Sequence, residues 1–187
     1  MNRGFTLIEM LVALVIFSFV ALLSVGSLLI LTSSERRIAT IQTSQDNVRF
    51  GIEAAAREIR TGINYQNSTT CAGASDCFEF LNADGNIVVY RRSTNQVDCD
   101  SRQPAGQGCI TRAVRMLPSD PLIYHSITGP DVSVDGLLFI LHGGIPTDTL
   151  QPRVTIVVNA VAGKATKNET EIFVQTSVSQ LRLDIGA

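Results

Sequence analysis

The sequence has no proline before Pro104 and no charged residue from Met10 to Leu31. Because proline is the residue that most strongly interrupts a helix, nothing forces a helix to break before that point. At about 1.5 Å per residue the uncharged run would form a helix about 33 Å long, and a bilayer core is about 30 Å thick. A secretory signal has a shorter apolar core, about 7–15 residues, and no obvious A-x-A cleavage site follows this run. We therefore expect a retained membrane helix.

The chain also lacks a strong net charge and a recognisable catalytic motif. Its formal net charge is -2 over 187 residues, which gives no strong attraction to nucleic acid or to anionic lipid. No Ser-His-Asp arrangement, phosphate-binding glycine loop or H-E-x-x-H pattern occurs, and His125 and His142 are isolated. We expect a protein that is not an enzyme and has no cofactor, built as one domain with an appendage.

A helical pattern continues beyond Leu31. The apolar residues recur at steps of three, four or seven: Ile38, Ile41, Val48, Ile52, Ala55 (or Ala56) and Ile59. The other faces are polar and include Glu58. The pattern predicts one helix from Phe5 to about Arg60, with an apolar first half and an amphipathic second half. Gly62 is expected to form a left-handed cap at its C-terminal end.

Gly26 lies inside this predicted helix, between Ser24 and Ser27. A glycine costs about 1 kcal/mol relative to alanine in a helix interior. It indicates either close packing against another helix or a turn that melts easily, and the residues alone leave both interpretations open.

From Ile63 onward the pattern changes to short strands. An Asp-Gly pair at Asp84 and Gly85 lies between two apolar runs, which is a strong hairpin signal. A second such pair, Asp135 and Gly136, is expected to start a buried strand. The predicted strands are Phe78–Leu81, Ile87–Tyr90, Cys109–Leu117, Leu137–Leu141, Arg153–Val161 and Glu171–Leu183. The fold class is therefore α+β, with one long N-terminal helix packed on an antiparallel sheet.

Four cysteines follow the apolar run, and an even number in an exported domain favours disulfides. Pairing between sequence neighbours would join Cys71 to Cys77 and Cys99 to Cys109 and would close two small loops; we favour it over the other pairings. Zinc is the alternative, but the spacings C-x5-C and C-x9-C do not match the usual C-x2-C pattern.

Two further kinds of binding site have weak support. The aspartates Asp98 and Asp100, and likewise Asp131 and Asp135, could contact calcium, although the regular spacing of an EF-hand is missing. A mild basic face could bind DNA, but the domain is not basic overall, and solvated strand edges explain it more simply. That face consists of Arg91, Arg92, Arg112 and Arg115.

The segment Arg3–Glu9 (RGFTLIE), followed by the uncharged run, resembles the class III signal of type IV pilins and pseudopilins. The rest of the chain is similar, more loosely, to the minor pseudopilin J of type II secretion and to W-type minor pilins. The segments that carry this second similarity are Gln45–Arg49, Ala56–Arg60, Val88–Tyr90, Ile110–Arg112 and Gln175–Ser179.

The resemblance implies how the chain is divided and processed. Residues 1–4 would be a leader, 5–31 a transmembrane and assembly helix, 32–62 an amphipathic helix on the globular domain, and 63–187 a β-rich exported domain. A prepilin peptidase would cut after Gly4 and methylate the new amine of Phe5.

The resemblance also implies a location and partners. The chain would cross the inner (cytoplasmic) membrane once, with its C-terminal domain outside the cytoplasm, and later enter a surface or periplasmic filament. Its partners would be other pilins or pseudopilins, the peptidase and an inner-membrane assembly platform. The alternatives are a major pilin, or a filament-tip adhesin or DNA-uptake receptor. Whether the machine is a pilus, a type II secretion system or a competence system is left open.

Glu9 is the one carboxylate in the apolar part of the predicted helix. The resemblance implies that it pairs with the amine of Phe5, in the same subunit or in a neighbour. A lone charge among apolar helices costs several kcal/mol and a paired one far less, so Glu9 would fix the register of packing. The alternative is a carboxylate near water at the membrane edge. The resemblance also moves the interpretation of Gly26 towards a softened turn.

Overall fold

The computed structural model describes residues 6–66, 70–71, 74–117, 119–144, 150–164 and 169–181. Gly4 and Phe5, on which the predicted processing depends, lie outside the described residues. The chain forms two compact units, Met1–Thr40 and Ile41–Ala187. One helix, α1, runs from Leu7 to Thr61 and supplies residues to both units.

The first unit is the N-terminal part of α1. Every side chain from Thr6 to Thr40 is exposed, although most of them up to Leu31 are large and apolar. This is the one helix in the described part of the chain that is long and apolar enough to cross a membrane. The continuous helix predicted from the lack of proline is confirmed from Leu7 onward, and its retention in a membrane stays a prediction.

The second unit combines the rest of α1 with eight strands. Their bounds are β1 Ile63–Gln66, β2 Cys77–Leu81, β3 Ile87–Ser93, β4 Cys109–Arg115, β5 His125–Ser126, β6 Val132–His142, β7 Arg153–Ala162 and β8 Thr170–Ser179. They form two sheets, in the orders β1-β2-β3-β4-β5 and β6-β7-β8. All neighbouring strands are antiparallel. The predicted α+β class is confirmed.

One hydrophobic core joins both sheets to the C-terminal part of α1. The buried residues of the helix are Ser44, Val48, Gly51, Ile52, Ala55 and Ile59. They follow the predicted apolar stripe from Val48 onward. Ile38 was predicted to belong to this stripe, but it lies in the first unit and is 54% exposed.

An aromatic cluster fills the part of the core next to β2. Phe78 stacks on Phe139 of β6, with ring centroids 5.4 Å apart. Tyr65 of β1 meets Phe78 edge to face at 5.5 Å. Such pairs add about 0.5–1.5 kcal/mol beyond the area that they bury. The contacts therefore fix the positions of both sheets.

Gly62 is not the left-handed cap that the sequence predicted, because its φ is not positive. The structure shows another reason for a glycine there. A Cβ at this position would lie 2.3 Å from Cδ2 of Phe80 and 3.1 Å from the carbonyl oxygen of Leu81. Gly62 therefore lets the end of α1 approach β2.

The strand around Asp135 and Gly136 also differs from the prediction. The two residues do not start a strand; they lie inside β6, where the register with β7 shifts between Val134 and Gly136. Such a bulge inserts one extra residue into a continuing strand. The segment predicted to be wholly buried alternates instead: Leu137 and Phe139 are buried, whereas Leu138 and Ile140 are 37% and 38% exposed. One face of the β6-β7-β8 sheet is open.

The other predicted strands are close to those observed. The hairpin between β2 and β3 is confirmed, and Gly85 takes the positive φ of 81° that its turn needs. β7 alternates as predicted, with Val154, Ile156 and Val158 buried. β8 ends at Ser179, earlier than predicted, because the N–H of Gln180 donates to Pro152 and that of Leu181 donates to Arg60. Leu183 lies outside the described residues.

Candidate assembly site in the N-terminal helix

The start of α1 is capped by Thr6. The backbone N–H of Glu9 donates to the carbonyl oxygen of Thr6 at 3.1 Å and to its hydroxyl oxygen at 3.4 Å. These contacts satisfy an N–H that would otherwise lack a partner in the first turn. A carboxylate in the first turn also interacts favourably with the positive end of the helix dipole.

The carboxylate of Glu9 has no hydrogen bond and no ion pair with any described residue. In the common capping box the acidic side chain at this position reaches back to the N–H of the capping residue. Here only the threonine half of that exchange is present. The exposed carboxylate is thus available to a group outside the described chain.

The hydroxyl groups of the uncharged run are satisfied within the helix. Ser18, Ser24 and Ser27 each donate to the carbonyl oxygen one turn earlier, at 2.8, 2.8 and 3.0 Å. A hydroxyl without a partner would cost free energy in lipid, where no water can replace it. The run therefore presents an apolar surface in spite of its serines.

Gly26 lies in regular α-helix, and a Cβ at this position would meet nothing within 4 Å. The flanking Ser24 and Ser27 bond to carbonyl oxygens of the preceding turn, a pattern that often bends helices. Both interpretations of this glycine are compatible with the geometry, and its softening role stays a prediction.

The four cysteines pair as sequence neighbours. Cys71 is bonded to Cys77, with Cα atoms 5.4 Å apart, and Cys99 to Cys109, with Cα atoms 5.8 Å apart. The second bond closes the loop after β3 onto the start of β4. Buried Gln103 holds the same loop by donating to Gly108 at 2.8 Å and to Val132 at 3.0 Å.

Three of the four aspartates considered for calcium are bonded to basic side chains. Asp98 accepts from Arg91 at 2.9 Å, and Asp135 accepts from Lys164 at 2.6 Å. Asp100 accepts from Arg102 at 2.7 Å, and these hydrogen bonds lower the pKa of Asp100 to about 2. No group of three metal-binding side chains occurs among the described residues.

The arginines of the possible basic face are engaged within the domain. Arg91 also lies over the ring of Tyr124, 3.6 Å from its centroid, and Arg92 donates to the carbonyl oxygen of Val134 at 2.8 Å. Arg112 bonds to Glu58, and Arg115 donates to Thr70 at 3.3 Å. Each of the four arginines therefore has a contact within the described part of the domain.

Glu58 is the residue whose role the sequence did not reveal. The sequence placed it on a polar face of the helix with no partner named, and the structure shows it bonded to Arg112 and to Tyr90 of the sheet. The sequence did predict the two strands that contain Tyr90 and Arg112. It did not predict that these two residues are neighbours across the sheet, because their pairing depends on a strand register that spacing alone does not give.

Residues 1–31 match the family model of the prokaryotic N-terminal methylation motif. The chain carries this methylation motif. The match supports the type IV pilin and pseudopilin family and indicates a pilin-like substrate of prepilin peptidase. It covers 31 of the 187 residues, and Glu9 and Gly26 both fall inside it. No match was found among curated proteins or among solved structures.

The methylation motif and the exposed apolar helix agree on the kind of protein. Both fit a chain that is anchored in a membrane by a single segment near its N terminus. The methylation motif at residues 1–31 and the apolar helix that carries it are the two observations that favour the predicted family.

Proposed function

We propose that the mature chain is a minor pilin or pseudopilin, a structural subunit and not an enzyme. Prepilin peptidase cuts it after Gly4 and methylates the amine of Phe5. The subunit then assembles into, or primes the tip of, a type IV pilus or a type II secretion pseudopilus. The observation that carries this proposal is the methylation motif at residues 1–31, on the part of α1 whose apolar side chains are exposed from Leu7 to Leu31.

Before assembly the apolar helix resides in the inner membrane, with the second unit outside the cytoplasm. The two disulfides support this orientation, because such bonds persist in oxidising compartments and are rare in the cytosol. The apolar length of the helix supports a single crossing.

Assembly exchanges lipid contacts of the helix for contacts with neighbouring helices. Lipid tails are as apolar as leucine, so the gain comes from close packing and polar pairing rather than from the hydrophobic effect. The carboxylate of Glu9 is the polar group available for such pairing. The amine of Phe5, created by cleavage, supplies the opposite charge, so only a packing that brings the two groups together avoids a buried lone charge.

A minor role is supported by the similarity of later segments to pseudopilin J and W-type minor pilins, and by the long loop held by the second disulfide. Filaments need few copies of a subunit that primes the tip. The minor role is tested by measuring the molar ratio of this chain to the main subunit in purified filaments, by quantitative mass spectrometry. A ratio near one would show that the chain is a major pilin.

Processing is tested by intact-mass measurement of the full chain expressed with and without prepilin peptidase. We expect the loss of residues 1–4 and the gain of one methyl group on Phe5 only when the peptidase is present. A Gly4→Leu variant is the matched control and should keep its leader. A chain that retains Met1 in the presence of an active peptidase would refute the proposal.

A further inference from the structure

The two sheets have four edges, and three of them are short or covered. The five-stranded sheet ends in β1, which has four residues, and β5, which has two. On the outer side of β6, Val134 donates to Gly108 at 2.7 Å and Phe139 donates to Ser75 at 2.8 Å. Short or covered edges are the usual protection against unwanted strand pairing.

The outer edge of β8 has no such protection. Its ten residues pair with β7 in an unbroken register, and no other described strand lies on its second side. The strand contains no proline and no basic residue, and Glu171 is its one charged residue. A long, regular and nearly uncharged edge is a template for pairing with another strand.

The register identifies the groups at this edge. The N–H of Phe139 donates to Ser75, away from β7, so Phe139 and its β7 partner Ile156 form a pair that is not hydrogen-bonded. The N–H and C=O groups of Ile156 therefore point to β8, where Ile156 faces Thr176. Alternate residues therefore present their N–H and C=O groups to the outer edge, namely Phe173, Gln175 and Ser177. The hydroxyl pair Thr155–Ser177, 2.9 Å apart, agrees with this register, because side chains are closer at positions that are not hydrogen-bonded.

A groove runs between this edge and α1. It has a volume of about 270 Å³ and is lined by Arg49, Ile52, Glu53, Ala56, Val174, Gln175 and Thr176. Outside its lining residues, α1 and the chain after β8 are joined by the hydrogen bond from the N–H of Leu181 to the carbonyl oxygen of Arg60, at 2.9 Å. A strand added to β8 would direct alternate side chains into this groove, towards Ile52 and Val174.

We propose that the outer edge of β8 and the groove beside it bind an extended strand of a different filament subunit. The inference rests on the proposed function. The incoming strand has apolar residues at alternate positions, to fill the groove, and an acidic residue near Arg49. That arginine is exposed and has no ion pair among the described residues.

A second copy of this chain is a poorer occupant. Antiparallel pairing of β8 with β8 of another copy is two-fold symmetric. It would reverse one subunit relative to the other, whereas the subunits of the proposed filament all point the same way. We therefore assign the partner strand to a different subunit of the filament and not to a second copy of this chain.

The test is amide hydrogen exchange of the β8 segment in the full chain, first in detergent micelles and then in purified filaments. We expect the amides of Phe173, Gln175 and Ser177 to exchange rapidly in micelles and at least about 100-fold more slowly in filaments, which corresponds to about 2.7 kcal/mol of protection. Equal exchange in micelles and in filaments that contain the chain would overturn the β8 inference alone.

Two further outcomes separate the remaining possibilities. A chain that is processed but never enters filaments would overturn the proposed function and this inference together. Protection that rises with protein concentration in micelles would identify a second copy as the occupant and overturn our choice of partner.

A proline variant tests the edge directly. Gln175→Pro removes one outward-facing N–H of β8, a change that an edge strand tolerates. We expect this variant to lower incorporation into filaments at least tenfold. Incorporation within twofold of the unchanged chain would contradict the proposal. If Gln175→Pro does not fold, the exchange experiment on the unchanged chain decides.

Discussion

Glu58 and Arg112 are 54 positions apart in the sequence and are joined by two hydrogen bonds. Arg112 Nε donates to Glu58 Oε2 at 2.8 Å, and Arg112 Nη2 donates to Oε1. The hydroxyl of Tyr90 donates to Oε2 at 2.6 Å. Because Tyr90 and Arg112 are partners on β3 and β4, this group ties the helix to the middle of the five-stranded sheet.

The pKa of Glu58 makes the stability contributed by its bonds to Arg112 and Tyr90 sensitive to acid. Burial raises that pKa, but the hydrogen bonds from Arg112 and Tyr90 outweigh burial and hold it below its ordinary value of 4.5. The bridge therefore contributes its full stability above about pH 4.5 and loses it as the pH falls through the lower pKa of the folded chain.

We expect Glu58→Gln to lower the free energy of unfolding by about 1–3 kcal/mol at pH 7 and by less as the pH falls below 4.5. The measurement is urea unfolding of the full chain in micelles, followed by tyrosine fluorescence. Glu53→Gln is the control, because Glu53 and Arg57 are 68% and 83% exposed and 3.9 Å apart. That change should cost less than about 0.5 kcal/mol. Equal losses of unfolding free energy in the two variants would contradict a stabilising role for the bridge between Glu58 and Arg112.

The disulfide between Cys99 and Cys109 should stabilise the domain mainly through its loop. Closing a loop of this length is expected to contribute about 3 kcal/mol, and the shorter loop between Cys71 and Cys77 slightly less. We predict that replacing Cys99 and Cys109 together by serine lowers the urea midpoint. Thiol labelling of this double variant checks the pairing, because Cys71 and Cys77 should then react only after reduction. Labelling of either cysteine in the unreduced variant would contradict the pairing of sequence neighbours.

Gly62→Ala should destabilise the second unit. The added Cβ would overlap the ring of Phe80, and relieving such crowding costs about 1–3 kcal/mol. Gly136→Ala is the control, since its nearest contact would be 3.4 Å from Cβ of Asn159, and we expect a change within about 0.5 kcal/mol. Thermal unfolding of the two variants compares them directly. Similar midpoints would mean that Phe80 can move away at little cost.

Gly26→Ala tests the softened turn. Alanine favours the helix by about 1 kcal/mol over glycine, so we expect amide exchange around Ser24 and Ser27 to slow about fivefold in micelles. If assembly requires this turn to loosen, incorporation into filaments should fall as well, with the stability of the second unit unchanged. Full incorporation of the variant would contradict both a turn that must loosen and close helix packing at Gly26.

The sequence predicted those parts of the fold that local patterns determine. The absence of proline and the spacing of Val48, Ile52 and Ile59 indicated the long helix. The Asp-Gly pair at Gly85 indicated its hairpin. In each case the signal and the structure lie within a few residues of each other, so no knowledge of distant partners was needed.

The parts that were missed depend on contacts between distant segments. Glu58 looks like a surface carboxylate until β3 and β4 bring Tyr90 and Arg112 to it. Gly62 looks like a helix cap until β2 brings the ring of Phe80 against it. The bulge at Gly136 resembles a turn, because the same residue type serves both and only the pairing with β7 distinguishes them.

The central claim is that the charge of Glu9 fixes how the apolar helices pack. It is tested most directly by measuring the fraction of membrane-inserted chain that enters filaments for Glu9→Gln, with Glu35→Gln as the control. Glu35 is also an exposed glutamate of the same helix, but it lies beyond the uncharged run. We predict at least a tenfold loss for Glu9→Gln, in line with several kcal/mol for an unpaired amine among apolar helices, and no loss for Glu35→Gln. Equal incorporation of the two variants would contradict the account.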